Sequence, residues 1–576
     1  MSNAQKLADL RGQFPSEGVD GFLVPRADEF QGENVPASSD RLRWLTGFTG
    51  SAGVAIVLKD KAVVMSDGRY TIQLKQEVDG SLYALDDYTK ISPAEWIAAN
   101  GPDAVIGYDP RLHTPNEIKK FEEKGVTLKA VFNLIDAVWK DRPAPPSANV
   151  ELFPLKFAGM EAKQKLDAVA ESLREQKADA AIITLPDSIA WMLNIRSSDI
   201  AHTPVALSNA IVRSDGTLDW FIYESRVSEA VQRSFGNRVS LVRPEEVEKG
   251  IAALKGKQVI LDGRHSSVWF TDKMKAHGVE IINAKDPSIP LKAHKNEAEQ
   301  KSMRAAHVRD GVAMVKFLKW LDENTAPIDE LGVEKKLHAF RAEAGEFKDT
   351  SFDTIAGFGP NGAIVHYRAK PQTNLKIEKG NLLLLDSGAQ YEDGTTDITR
   401  TIAIGEPTDE MRKMNTLVLK GHIAIASAKF PQGTKGVDID KLARTPLQER
   451  GFDYAHGTGH GVGCYLSVHE EAASLSPRGM EPIEAGMIIS NEPGFYKEGA
   501  FGIRIENLVL AQEEGGVMSF ETLTLAPLDL TLIDFSMLTA DEKNWLNDYH
   551  ARVYETLAPL LDAPTKDWLK NKTARQ

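Results

Sequence analysis

An α/β (α+β) chain of three domains, the first two alike, is the fold the sequence predicts, and three observations carry it. At 576 residues the chain exceeds what one hydrophobic core usually supports, so about two to four domains are expected. A faint internal duplication runs through its earlier part. A long amphipathic helix then opens a region with a different pattern.

In chain order, Gly21-Phe22-Leu23-Val24-Pro25 is an apolar run closed by proline, followed by Arg43-Trp44-Leu45-Thr46-Gly47. The same order returns in Ala181-Ile182-Ile183-Thr184-Leu185-Pro186 and Ala190-Trp191-Met192-Leu193-Asn194. Both copies read as a strand, a proline-opened loop and a short helix carrying tryptophan. Each continues into alternating strands, over 54–64 and 206–223. The proline-rich stretch 141–147 reads as a linker, and a second break falls near 286–290. The spacing of Met303, Ala306, Val312, Val315, Leu318 and Leu321 predicts a helix over about 296–323. The domains expected are therefore 1–145, 146–290 and 291–576, the last with a helical extension from about 525. In that extension Thr539 and Glu542 have capping-box spacing, and Leu546, Tyr549, Val553, Leu557 and Leu560 form one apolar stripe. Packing on the third domain is the expected use of the stripe, with a dimer contact the alternative. The basic residues of 566–575 are expected to be a frayed terminus.

A formal charge of −14, with 42% apolar and 26% charged residues, is that of an ordinary globular protein. It argues against a nucleic-acid partner, which needs a concentrated positive face. No stretch approaches the ~18 apolar residues of a membrane span, and Met1-Ser2-Asn3-Ala4-Gln5-Lys6 lacks the apolar core of a secretory signal. Cys464 is the only cysteine, so a cytoplasmic setting is expected and no internal disulfide can form. Cys464 itself reads as a small packing residue rather than a catalytic thiol.

Five residues of the third domain sit where a lone charge is costly. Asp386 ends the run Leu382-Leu383-Leu384-Leu385. Asp397 precedes Ile398-Thr399-Arg400-Thr401-Ile402, and His460 lies within His456-Gly457-Thr458-Gly459-His460-Gly461-Val462-Gly463. Glu492 follows Met487-Ile488-Ile489-Ser490-Asn491, and Glu506 follows Gly502-Ile503-Arg504-Ile505. Buried carboxylates must pair, protonate or hold a metal, and several facing one another cannot all stay ionised without cations between them. Asp386 and Asp397 flank Glu392-Asp393-Gly394, a hairpin-type turn; Glu492 and Glu506 flank a second hairpin over 493–502. Two such hairpins build an oxygen-rich cage to which His460 adds the one nitrogen, its glycine neighbours letting the backbone approach closely. An oxygen-dominated set favours a hard divalent ion such as manganese. It suits two ions about 3.5–4 Å apart, which implies hydrolysis. The glycines around His460 have neither dinucleotide nor Walker spacing. His366 and His469 lie near the set in sequence and could bond a carbonyl or an oxyanion. On the residues alone, unrelated turn and surface acids remain an open alternative.

At these positions the motifs become specific. Leu385-Asp386-Ser387-Gly388-Ala389, Thr395-Thr396-Asp397-Ile398-Thr399-Arg400-Thr401, the histidine–glycine string at 456–463, Asn491-Glu492-Pro493-Gly494 and Arg504-Ile505-Glu506-Asn507 resemble the pita-bread metallopeptidases, and among them the three-domain Xaa-Pro aminopeptidases. Gly47-Phe48-Thr49-Gly50-Ser51-Ala52-Gly53 and Ser66-Asp67-Gly68-Arg69-Tyr70 extend the likeness into the first domain. The resemblance implies two creatinase-like α/β domains ahead of a pita-bread catalytic domain. It implies Asp386 as a ligand of one metal, Asp397 and Glu506 as bridges, and His460 and Glu492 as completing the other shell. Glu492 would also accept the proton of the attacking water. His366, His456 and His469 would line the substrate site, with His366 and His469 the catalytic candidates. Tyr496 and Arg504 would lie behind the ligands, the arginine orienting Asp386, and Arg69 would contact the peptide. The implied metals are two divalent ions, manganese first, with zinc or cobalt as alternatives. The implied substrate is a peptide with proline in second position, and the implied assembly a homodimer. A prolidase-type dipeptidase and a non-catalytic peptide-binding protein are the competing readings; the duplicated N-terminal domains favour the aminopeptidase, and five intact ligand positions speak against the binding protein.

Overall fold

The computed structural model describes residues 1–576 as two compact units, Met1–Leu291 and Lys292–Gln576. In the first unit the sequence repeat is a repeat of topology. Each half holds a six-stranded mixed sheet whose strands, numbered by their order within the half, stand in the order 4-3-2-1-5-6. In both, the first strand (Gly21–Pro25 or Ala180–Ile183) pairs antiparallel with the second and parallel with the fifth. The tryptophan helices are present as Arg41–Thr46 and Pro186–Met192. One expectation changes: Val54–Leu58 and Ala62–Ser66 are buried at every position rather than alternately. Helices cover both faces of a mixed sheet of this kind, so its central strands are apolar throughout.

In the second unit the long helix spans Glu297–Glu323. Asn296 starts it, accepting from the amides of Ala298 and Glu299 while Glu299 bonds back in a capping box. Its buried surface is wider than the expected stripe and includes His307, Asp310, Met314 and Phe317. Two sheets carry the candidate residues. One has three strands, Ile355–Phe358, Asn381–Ser387 and Ile398–Ile404, with the middle one between the other two. The other has six and includes Gly459–Gly461, Glu470–Leu475, Ile488–Asn491, Asn507–Glu514 and Val517–Thr522. A two-stranded ribbon, Gly494–Lys497 with Phe501–Arg504, projects between Glu492 and Glu506. Helices Asp409–Ala426 and Gly436–Gln448 pack with these sheets through Leu417, Ile425, Ile439 and Leu447.

The break expected near 286–290 lies beside the division between the two units, and the helix Ser288–Ala293 runs across it. Two expectations are corrected here. The stripe of helix Ala540–Leu557 buries Leu546, Tyr549, Val553 and Leu557, whereas Leu560 lies beyond its end and is exposed. The basic terminus is not frayed. Asp562 accepts from the amide of Thr565 to start the helix Ala563–Lys572, Leu569 is fully buried, and Trp568 Nε1 donates to Asp322 at 2.8 Å. A capped helix with one buried apolar side chain outweighs end-fraying. No helix is long and apolar enough to cross a membrane.

Candidate metal centre

The two strand pairs fix where the acids stand. Asp386 is opposite Thr399 in the antiparallel pair of Asn381–Ser387 and Ile398–Ile404, which puts Asp397 just beyond the end of that ladder. Asn491 is opposite Asn507, so Glu492 and Glu506 leave their strands side by side. His460 lies at the centre of Gly459–Gly461. A Cβ on Gly459 would come 2.0 Å from the Ser490 carbonyl oxygen, and one on Gly461 2.7 Å from that of Glu470. Glycine on both sides is what allows this short strand to press into the sheet.

One ligand atom from each of Asp397, His460 and Glu506 lies within 4.8 Å of the others. His460 Nε2 is 3.5 Å from both Asp397 Oδ2 and Glu492 Oε1, while its Nδ1 lies 2.9 Å from the Gly461 carbonyl oxygen. That contact leaves Nε2 as the nitrogen turned toward the acids. Asp386 enters from the other side: its Oδ2 accepts from Arg504 Nη2 at 2.6 Å, and its Oδ1 is buried with no partner. Burial, first, and then the charges of Asp397, Glu492 and Asp386 hold the Glu506 carboxyl well above its usual range. Burial raises Asp386 to about 6 against the pull of Arg504, and burial likewise raises Glu492. For His460 burial acts downward, but the bond to Asp397 and the charges of Glu492 and Asp397 outweigh it and lift the imidazole to about 9. The site holds more buried negative charge than its cations balance.

Arg504 is the hub behind the cage. Its Nη1 donates to Tyr496 Oη at 2.6 Å, its Nε to Thr399 Oγ1 at 3.2 Å and its Nη2 also to the Val365 carbonyl at 3.3 Å. Tyr496 Oη is 2.8 Å from His456 Nε2. His456, Tyr496, Arg504 and Asp386 therefore form one continuous chain, and the Val365 contact places the turn bearing His366 beside it. His469 is exposed and its ring stands edge-on to that of His460, centroids 4.2 Å apart. Arg69 lies in the other unit with its guanidinium on Asp67, at 2.9 and 2.7 Å. Cys464 is buried, packed with Val462, Ile488 and Leu508.

Several residues of the centre carry no signal of their own in the sequence reading. Thr399 Oγ1 donates to Glu506 Oε2 at 2.6 Å, Thr401 Oγ1 to the Arg504 carbonyl at 2.9 Å, and Ser490 Oγ to Glu492 Oε1 at 3.2 Å. The two threonines could have been found from strand periodicity, since they share one face of Ile398–Ile404. His422, in the last third of Asp409–Ala426, bonds the Asn491 carbonyl through Nδ1 and Asn507 Nδ2 through Nε2, each at 3.1 Å. Nothing local distinguishes it from a packed helix residue.

Comparisons with known proteins agree with this architecture. The model of metallopeptidase family M24 matches residues 301–513, and that of its C-terminal region matches 516–576. Creatinase/prolidase N-terminal domain models match 6–138 and 141–299. Aminopeptidase P2 of Arabidopsis thaliana is 38% identical, over 99% of this chain and 88% of its own length. A probable Xaa-Pro aminopeptidase P of Paracoccidioides brasiliensis is also 38% identical, over 100% of this chain and 99% of its own. The crystal structure of X-prolyl aminopeptidase from Caenorhabditis elegans, described as a cytosolic enzyme with a di-nuclear active site, superposes with a TM-score of 0.95 at 32% identity, covering 100% of both chains. The chain belongs to metallopeptidase family M24, among the three-domain Xaa-Pro aminopeptidases P, with two creatinase/prolidase N-terminal domains ahead of the pita-bread domain.

Proposed function

We propose that Asp386, Asp397, His460, Glu492 and Glu506 hold two divalent ions, and that the chain uses them to release the N-terminal residue from peptides with proline in second position. The observation that carries this reading is the convergence of three buried acids, the half-buried Glu492 and one imidazole whose charges do not balance, with Asp386 Oδ1 buried and unpartnered. Such a set fits cations, because a neutral filling would leave those carboxylates paying for their burial. When bound, a divalent pair supplies Lewis acidity to a carbonyl oxygen and lowers the pKa of a water molecule.

The chain's own residues do the rest. Arg504 holds Asp386 ionised and fixed in orientation. Glu492, raised by burial, is suited to take a proton from attacking water and return it to the leaving nitrogen. His366 and His469 are assigned the role of donating to the carbonyl oxygen as charge develops there. His456, joined to Tyr496, orders the wall on that side, and Arg69 is assigned to peptide binding. The proline preference belongs to the family: proline's tertiary amide has no N–H, so recognition rests on ring shape and the free amine. Manganese as the metal, a homodimer as the assembly and the cytoplasm as the location are part of the same reading.

The test is cleavage of Arg-Pro-Pro, Gly-Pro and Arg-Ala-Ala by metal-stripped protein resupplied with manganese, cobalt or zinc, with sedimentation for the assembly. Cleavage of Arg-Pro-Pro, most rapid with manganese, is expected. Cleavage of Gly-Pro alone would turn the reading to a prolidase, and no cleavage with any metal would overturn it.

A further inference from the structure

Arg400 is a buried cation that bonds no carboxylate oxygen, the Glu506 charge acting on it only through space. It is 2% exposed, and its guanidinium is held by six acceptors. Nε donates to the Pro527 carbonyl at 3.1 Å. Nη1 donates to the carbonyls of Thr399 and Glu506 at 2.9 and 2.8 Å. Nη2 donates to Asn507 Oδ1, the Ala526 carbonyl and Tyr549 Oη, each at 2.9 Å. A guanidinium has five N–H groups in one plane, so each donor finds an acceptor. A buried charge without a counter-ion is costly unless it is fully bonded, and a lysine ammonium cannot reproduce that fork.

The six acceptors come from three stretches of chain. Thr399 follows Asp397, Glu506 and Asn507 open the second carboxylate-bearing strand, and Ala526, Pro527 and Tyr549 belong to the C-terminal region. Thr399 and Glu506 are tied again by the Thr399 hydroxyl at 2.6 Å and by the Glu506 amide on the Thr399 carbonyl at 3.2 Å. Tyr549 is fixed in its turn. It stacks flat on Trp545, centroids 5.3 Å apart at 5°, and Trp545 stands edge-on to His422. His422 bonds Asn491 and Asn507, the neighbours of Glu492 and Glu506.

We propose that Arg400 is a positioning residue that sets the spacing of Asp397 and Glu506, and that Tyr549 anchors it, making the C-terminal helix a working part of the metal centre. This rests on the two-metal reading. In that reading both carboxylates must reach the same pair of ions, so a small change in their separation affects the pair more than either ion alone.

The experiment uses full-length wild type, Arg400→Lys and Tyr549→Phe, stripped and reloaded with Mn2+. It records binding stoichiometry, the paramagnetic resonance spectrum, kcat and KM on Arg-Pro-Pro, and the thermal midpoint. Arg400→Lys keeps the charge and loses the fork. It is expected to weaken the second manganese and lower kcat by about 10–100-fold, as outer partners of ligands do, with KM nearly unchanged. Its spectrum should shift from a coupled pair toward isolated ions. Tyr549→Phe should move every readout the same way by a smaller factor. A role confined to folding would lower the thermal midpoint and leave the coupled spectrum intact, and that result in either folded variant overturns the proposal. If Arg400→Lys does not fold, Tyr549→Phe decides. If wild type binds fewer than two manganese ions, the two-metal reading fails instead. Amide exchange then judges Arg400 separately: Glu506 should exchange faster in the variants, and unchanged protection overturns the positioning role.

Discussion

Charge balance decides the most at the scale of single residues. Asp397 lies close to both His460 and Glu506, so its replacement by asparagine removes one negative charge and a second donor oxygen from the middle of the cage. Asp397→Asn should abolish turnover and weaken manganese by more than the roughly 100-fold typical of losing an outer partner of a ligand. Calorimetric titration of stripped protein checks this, and native affinity in a folded variant would remove Asp397 from the centre. His422 gives a pH prediction. Burial, and then repulsion from Arg400, depress its imidazole to about 3, against an unfolded value near 6.5. The group is neutral when folded, so its contribution is complete above about pH 6.5 and is lost as pH falls toward 3, at about 1.4 kcal/mol per unit. The stability gap between wild type and His422→Gln, from urea unfolding at several pH values, should therefore narrow below pH 6.5. A constant gap would show that His422 does not titrate in that window.

The elements that could be read in the sequence are those whose cause is local. Asn296 and Thr539 announce their helices through capping boxes. The four-leucine run before Asp386 announces a strand buried on both faces: Leu382 packs in one apolar cluster and Leu383 and Leu385 in another. The glycines about His460 announce a close backbone approach, although only the fold shows that the approach is to the Ser490 carbonyl. Gly459→Ala should consequently push the strand off its neighbour. The expected cost is about 1–3 kcal/mol of stability, with His460 displaced and manganese binding weakened; a thermal melt and a metal titration read the two effects separately. What stayed hidden has a long-range cause. Trp568 and Leu569 are two apolar residues in a basic tail until Asp322, 246 residues away, receives the tryptophan N–H. His422 is an ordinary helix residue until two asparagines from distant strands meet it. The four acids and the imidazole could be picked out because buried charge among apolar and glycine-rich runs is anomalous; Thr399 and Thr401 show only as one face of a strand, and the asparagines and Arg400 do not show at all, because their partners lie far away in the sequence.

At the scale of the molecule, the duplicated sheets and the cage belong to different compact units, and this separates what metal removal can affect. All five proposed ligands lie between 386 and 506, inside the unit Lys292–Gln576. The donors lie on or beside five different strands, so the unfolded chain presents no preformed site. A ligand that binds only the native state stabilises it by about 2.7 kcal/mol at a hundred times its dissociation constant. Two ions acting on one unit should therefore raise the unfolding transition of Lys292–Gln576 by several degrees, while the transition of Met1–Leu291 keeps its midpoint. Differential scanning calorimetry with and without manganese, with chelator as the control, resolves the two. Two transitions of which only one moves would assign the metal energy to the catalytic unit. A single transition moving as a whole would mean that the units unfold together, and that substitutions in the duplicated sheets carry through to the stability of the metal centre.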